Sequence, residues 1–431
     1  MNKEKTFLFL QGPASFFSRK FASYLEKQGA TCLRINFCFS DWVCWLGKPA
    51  VNFRQTIENW PGFLKKYIKV NNVTTILYYA DCFPYHRIAR EVADELGIDA
   101  VAYENGYLRP NWLTIEKGGM SRFSHFPVDP EEIIEKGGQL PEPQSMQLPA
   151  PRFWVEATGE VLFHTCNYLY HWTFHNYHAD RYYNPYVDYF SQIPRLLKSK
   201  KLAAQATEVI NRLLKTDSVF WLFPLQMQND YQLRVNSPFD HQAEAIGQVI
   251  KAFSESADAV EKLLIKIHPM DNGIEPWEKI ITDLSNKYRV ADRVFFIDGG
   301  DLQKVIEYCK GVITINSTVG LHSLQAMKPV YVMGCAVYDI KGLSCGQTLQ
   351  EFFQNPTPPD KKLLHAFVKL MAVSIQVKGH FFTRQGSEVA IKNMAEKLLN
   401  DQLNSHGAYN VSPSRNAEKC PVNRLFNAEI H

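Results

Sequence analysis

Short apolar runs alternate with amphipathic stretches twice along this chain, and that rhythm constrains the fold more than any other feature. Lys5 to Leu10 reads as a buried strand, a QGP turn follows, and apolar residues recur at helical spacing from Ala14 to Gln28. Gly29 stops that helix, and Thr31 to Phe37 reads as a second strand. TTILYYAD is a further strand ending in Asp81. PYHRIAREVADELG is a helix with proline at its start and glycine at its end, and IDAVAYENGY is the next strand. A second round begins near Ser218 with VFWLFPLQ, a helix from His241 to Ser254, KLLIKIHP, RVFFID, DLQKVIEYCKG and VITIN. Strands joined by crossover helices pair in parallel, so each round predicts a doubly wound sheet.

A chain of 431 residues is too long for one small core, which agrees with two such sheets. Between them the rhythm breaks. Gly118 to Pro151 is rich in proline, glycine and acidic residues and reads as loop and connection. From Phe163 to Leu202 the chain is dense in Tyr, Phe, His and Trp and closes on a basic cluster. The expected division is an N-terminal Rossmann-like domain over 1–160, an aromatic-rich helical connection over 161–217, a C-terminal Rossmann-like domain over 218–400, and a polar, mobile tail over 401–431. The expected fold class is α/β, two Rossmann-like domains in a GT-B-like arrangement with a ligand cleft between them.

Several function classes lack their machinery. A net charge of +3 gives no footprint for nucleic acid. Neither a P-loop nor GxGxxG occurs, and HExxH, zinc-spaced Cys/His clusters and G-x-S-x-G are also missing. The nine cysteines form no CxxC pair and read as reduced thiols. No uncharged apolar window is long enough to span a bilayer, so a cytoplasmic protein, at most peripheral at the inner face of the inner membrane, is expected.

Ligands of parallel α/β sheets bind beyond the carboxyl ends of the strands, and four polar clusters fall there. ENGYLRP carries Glu104, Tyr107 and Arg109, and LQMQNDYQ carries Gln226, Gln228, Asn229, Asp230 and Gln232. IKIHPMD carries His268, Pro269 and Asp271, and INSTVG carries Asn316, Ser317, Thr318 and Gly320 at a helix start. Glu104 and Arg109 also fit a structural ion pair, and His268 fits a satisfied loop histidine. The NST cluster suits a plain helix cap as well as an anion site, because both use the same unpaired N–H groups.

Taken together, QGP, DCFPYHRIA, ENGYLRPNWLTIEKGG, LQMQND, IKIHPMDNG, TINSTVGLHSLQAMKPV and VMGCAVYDIKGL resemble capsule polysaccharide biosynthesis and export proteins of the KpsS/LipB type. The motifs keep their order from about residue 6 to 385. The resemblance implies a retaining β-Kdo glycosyltransferase, Kdo being 3-deoxy-D-manno-oct-2-ulosonic acid. CMP-Kdo is the implied donor substrate, with no metal or cofactor, and a (lyso)phosphatidylglycerol is the implied acceptor. A separate transferase would extend the Kdo linker, and an ABC exporter would carry the lipid-linked capsule. On this reading Asn316, Ser317, Thr318 and Gly320 hold the cytidylate phosphate at a helix N-terminus, with His268-Pro269, Gln226, Gln228 and Asp230 completing the donor site. Arg109 would pair the donor's carboxylate. Retention by two displacements needs a carboxylate, for which Glu104 is the first candidate, Asp81 the second and Asp230 the third. Related extending enzymes carry EDG where this chain has ENG, with Asn105 in the middle.

The aromatic and basic stretch has two readings. It is a helical pair packing between domains, or Tyr168, Trp172, Arg195, Lys198, Lys200 and Lys201 form a patch for the acceptor's membrane surface. Two rivals complete the field. A CDP-glycerol-type phosphotransferase would need a histidine base, for which His86 is the candidate. A non-catalytic export or scaffold component would need none of these clusters.

Overall fold

The computed structural model describes residues 5–413 except 144, 145, 147, 150–152 and 180, together with Arg415 and Lys419. The chain divides into two compact units: Met1–Pro127, Gln139–Asp180 and Val368–Ser414 in the first, and Val128–Gly138, Arg181–Phe367 and Arg415–His431 in the second.

The first six strands are β1 (Thr6–Phe9), β2 (Thr31–Asn36), β3 (Val51–Asn52), β4 (Thr75–Tyr79), β5 (Asp99–Asn105) and β6 (Trp112–Lys117). The second unit holds β7 (Phe220–Pro224), β8 (Lys262–Ile267), β9 (Val294–Asp298), β10 (Gly311–Thr314) and β11 (Val330–Val332), and β12 (Gln376–Lys378) returns to the first. The first sheet runs β12-β6-β5-β4-β1-β2-β3, and the second runs β11-β10-β7-β8-β9. All pairs are parallel except β5 with β6 and β6 with β12. Each sheet starts in its middle, winds outward to one edge, then crosses back and winds to the other. The reversal falls between β1 and β4 in the first unit and between β7 and β10 in the second. Both are Rossmann-like.

Burial explains why these runs are strands. The central strands β1 and β7 are buried along their whole length, as a sheet covered on both faces requires. In the first unit, Phe7 and Phe9 pack with Phe17, Phe21 and Leu25 of the helix Phe17–Lys27, while Leu8 joins Trp60, Leu64 and Ala89 from helices on the opposite face. In the second, Trp221, Phe223, Leu263 and Ile265 meet the helices Gln242–Ser256 and Trp277–Lys287.

The unit boundaries differ from the sequence expectation in three ways. Residues beyond Val368 do not complete the C-terminal half. β12 lies against β6 with Val377 opposite Leu113, and Phe381, Ile391 and Met394 enter the core built on Phe7 and Phe9. The supposed 161–217 connection is two helices, Phe153–Leu169 in the first unit and Pro185–Lys215 in the second. The stretch read as loop before Pro151 contains the helix Pro130–Gly138. Nor do the first residues of the expected tail stand off the fold: the Asn404 side chain accepts from the Lys117 N–H at 2.9 Å and donates to the Ala408 carbonyl at 3.1 Å, and Asn410 exchanges hydrogen bonds with His125. Most of the expected tail beyond 413 lies outside the described residues. Among the described residues, no helix is long and apolar enough to cross a membrane.

Candidate functional site

In the first unit the reversal point puts the QGP turn after β1 beside the DCF turn after β4. Gly12 is there for space: a Cβ on it would meet the Ser18 hydroxyl at 2.1 Å. The Ser18 hydroxyl in turn pairs with the Tyr103 phenol at 2.8 Å. Asp81 is buried, and its two oxygens accept from the Met120 N–H at 2.7 Å and the Cys82 thiol at 3.2 Å. Burial pushes its carboxyl up despite the Met120 hydrogen bond. It is an internal tie between the β4 end and the EKGGM loop, not a carboxylate offered at a strand end. His86 is likewise fully buried, its ring Nδ1 2.8 Å from the Ala80 carbonyl oxygen, which removes it from the reach of a substrate.

Glu104 is the penultimate residue of β5, half-buried, and pairs in register with Thr114. Arg109 is exposed and gives its Nε–H to the Gly106 carbonyl at 3.3 Å, with no partner for its terminal nitrogens among the described residues. The Tyr79 phenol gathers the charges here: burial pushes it up, Glu104, Glu160 and Glu156 push it further, and Arg109 opposes them. Glu156 itself is pushed up by burial, with Arg109 opposing. Glu104, Glu156, Glu160 and Arg109 therefore all act electrostatically on one phenol. Glu156 and Glu160 were not singled out in the sequence, although their spacing on FWVEATGEVLF marks one helical face. Between them Gly159 lets the helix pass close to the turn after β1, since a Cβ there would lie 2.8 Å from the Ala14 carbonyl oxygen.

The second unit brings three of the predicted clusters together at its own reversal point. The Gln226 side chain after β7 donates to the Asn316 side-chain oxygen after β10 at 2.9 Å and accepts from the Asn316 N–H at 3.2 Å. Asn316 also donates to the Gln232 and Asn236 carbonyls, both at 2.9 Å. The Gln228 side chain donates to the Asp240 carbonyl at 3.1 Å and accepts from the Gln242 N–H at 2.9 Å. Asp230 caps the helix Tyr231–Val235 by accepting from the Gln232 N–H at 2.9 Å. Gln226 and Asn316 spend polar atoms on each other, and Gln228 and Asp230 spend theirs on nearby backbone groups, so all four shape the loops.

The helix Thr318–Gln325 begins at Ser317, whose hydroxyl accepts from the Val319 N–H at 3.3 Å and whose carbonyl accepts from the Tyr338 phenol. Gly320 makes room for that phenol, because a Cβ on it would meet the Tyr338 ring oxygen at 2.3 Å. Thr318 follows the cap, half-buried, and its hydroxyl has no partner among the described residues. After β8, His268 is half-buried and its Nδ1 accepts from the Met270 N–H at 3.1 Å. The neutral ring therefore carries its proton on Nε2, a donor of the kind an oxyanion needs. Pro269 is exposed beside it.

The six residues of the expected membrane patch are split. Tyr168 and Trp172 are exposed in the first unit, at 56% and 67%. Lys198, Lys200 and Lys201 are exposed on the helix Pro185–Lys215 of the second. Arg195 stands apart from them. Its guanidinium grips the Asp298 carboxylate and the carbonyl oxygens of the HPMD loop, so it is held inside the second unit and is not a free surface cation.

Comparison with known proteins adds ancestry to this geometry. A family model described as capsule polysaccharide biosynthesis protein matches residues 74–382. The chain is 30% identical to the capsule polysaccharide export protein KpsS of Escherichia coli, over 88% of this chain and 97% of that one. It is 30% identical to the capsule polysaccharide modification protein LipB of Neisseria meningitidis serogroup B, over 89% and 93%. Among solved structures, the KpsC beta Kdo 2,7 transferase of Thermosulfurimonas dismutans aligns over 91% of this chain and 99% of its own, at 13% identity and a TM-score of 0.40.

Proposed function

The chain belongs to the capsule polysaccharide biosynthesis protein family, and on that premise we propose that it is a retaining β-Kdo glycosyltransferase. It takes Kdo from CMP-Kdo and places it on a (lyso)phosphatidylglycerol, starting the linker of a lipid-anchored capsular polysaccharide. The observation that carries the reading is the second unit's reversal point. There the Gln226–Asn316 pair fixes a helix N-terminus next to the Thr318 hydroxyl, and His268 on the neighbouring strand end carries its proton on Nε2. The Thr318 N–H and hydroxyl and an imidazole N–H are donors that suit the single phosphate of a cytidylate leaving group.

In the first displacement the Glu104 carboxylate attacks the anomeric carbon of Kdo, the bond to the CMP oxygen breaks, and the leaving phosphate takes the electron pair. In the second, an acceptor hydroxyl oxygen attacks the same carbon, Glu104 leaves as carboxylate, and the hydroxyl proton passes to a base. Two inversions give net retention. Arg109, exposed and with no partner for its terminal nitrogens among the described residues, suits the sugar's own carboxylate by a bidentate contact. Glu156, whose carboxyl is pushed up by burial, suits the proton transfer. A phosphotransferase that uses His86 as base finds no support, because that ring is enclosed.

The test is CMP release from CMP-Kdo in the presence of phosphatidylglycerol, comparing wild type with Glu104→Ala. Removal of the nucleophile should lower the rate by at least about a thousandfold while circular dichroism remains unchanged. Equal rates in the two proteins would remove Glu104 from the reaction, and absence of release from a folded wild type would remove CMP-Kdo as donor.

A further inference from the structure

The helix Pro185–Lys215 carries two buried or half-buried charges seven positions apart, Asp188 and Arg195, on the side it turns toward the second sheet. Arg195 uses all five of its N–H donors. Nε donates to Asp298 Oδ2 at 2.7 Å and Nη2 to Asp298 Oδ1, a forked pair at the end of β9. Nη2 also reaches the His268 carbonyl at 2.8 Å, and Nη1 reaches the carbonyls of Pro269 at 2.8 Å and Asp271 at 2.7 Å. One side chain from a remote helix thus fastens three carbonyls of the loop after β8 to the end of β9. Asp188, 8% exposed, joins the other pair of loops: it accepts from Asn272 at 2.7 Å and from Asn229 at 3.1 Å, which belong to the loops after β8 and β7. The helix is itself seated closely, since a Cβ on Gly299 would lie 3.2 Å from Ala203 and one on Gly300 would lie 2.7 Å from Ile210.

We infer that Arg195 and Asp188 are positioning residues of the nucleotide site, holding the loops after β7 and β8 and the end of β9 in one geometry so that His268 is set before the ligand arrives. This rests on the cytidylate reading of the second unit. His268 cannot turn freely in this arrangement. Its carbonyl is bonded by Arg195 and the Asp271 N–H, and its Nδ1 by the Met270 N–H. A site whose donors are fixed beforehand binds an anion without the ordering cost of assembling them. Lysine cannot replace arginine here, because an ammonium has three donors and no planar fork. The charge of Arg195 is thereby assigned to the donor loops and not to a lipid surface.

The test uses CMP itself as probe. CMP should raise the melting temperature of the wild type and of Glu208→Ala, an exposed change on the same helix. In Arg195→Lys and Asp298→Asn the affinity for CMP should fall at least about tenfold, and the KM for CMP-Kdo should rise by a similar factor with kcat changed far less. A merely structural role would lower melting temperature without touching that KM-against-kcat split. Should Arg195→Lys fail to fold, Asp298→Asn, which keeps the side-chain shape, reads the same bond from its other end. Wild-type affinity for CMP in both folded variants overturns the inference alone. No CMP effect on the wild type overturns the cytidylate reading, and the inference with it.

Discussion

His86 sits on the inner face of the helix Pro84–Leu96, its Nδ1–H given to the Ala80 carbonyl and its ring 5.0 Å from that of Tyr78. Burial pushes its pKa down from 6.5 to about 4. In the unfolded chain it binds a proton below about pH 6.5, whereas in the folded chain it does so only near pH 4. Between those values the unfolded state holds more protons, so stability is full above pH 6.5 and falls as pH drops toward 4. The shift corresponds to about 3 kcal/mol. Urea unfolding of wild type and His86→Gln at pH 7 and pH 4.5 should show the wild type losing about 2–3 kcal/mol more than the variant. Equal losses would mean the ring is reached by water. At this same scale the sequence located the polar clusters but could not say which atoms were already spent. Gln226 and Asn316 are 90 residues apart in sequence, and only the strand order shows that they satisfy each other. Arg195 stands in one basic run with the lysines after it, and nothing in that run marks it as the cation that turns inward.

At the scale of elements, the strands that were legible are the buried parallel ones. β1, β4, β7, β8 and β10 are continuous apolar runs ending in turn residues, and each was found within a residue or two. The short edge strands were not legible. β3 has two residues and β12 three, too few for any period to show. β12 and the helix Arg384–Leu399 were assigned to the wrong half because only pairing with β6, set by tertiary contact, decides where they belong. That pairing has a measurable consequence. Val377, Phe381, Ile391, Met394 and Leu398 are all buried in the first unit's core. At about 1.5–3 kcal/mol each they contribute on the order of 10 kcal/mol, comparable with the whole stability of a domain. A chain ended after Ser374 should lose hydrogen-exchange protection throughout β1, β4 and β5. Retained protection there would show that the returning segment is dispensable to the first core.

At the scale of the molecule, two doubly wound sheets follow from the alternation of strand and helix, the antiparallel edge of β6 and β12 on the first does not, and family membership follows from a match over most of the chain. The proposed chemistry assigns a carboxylate and an arginine to the first unit and a phosphate site to the second, and a transfer assay tests that assignment whole. Phosphatidylglycerol recovered after incubation of the purified chain with CMP-Kdo should be heavier by one Kdo residue by mass spectrometry, and NMR of the product should show the β anomer. Unchanged lipid beside intact CMP-Kdo, from a protein that remains folded, would contradict the account.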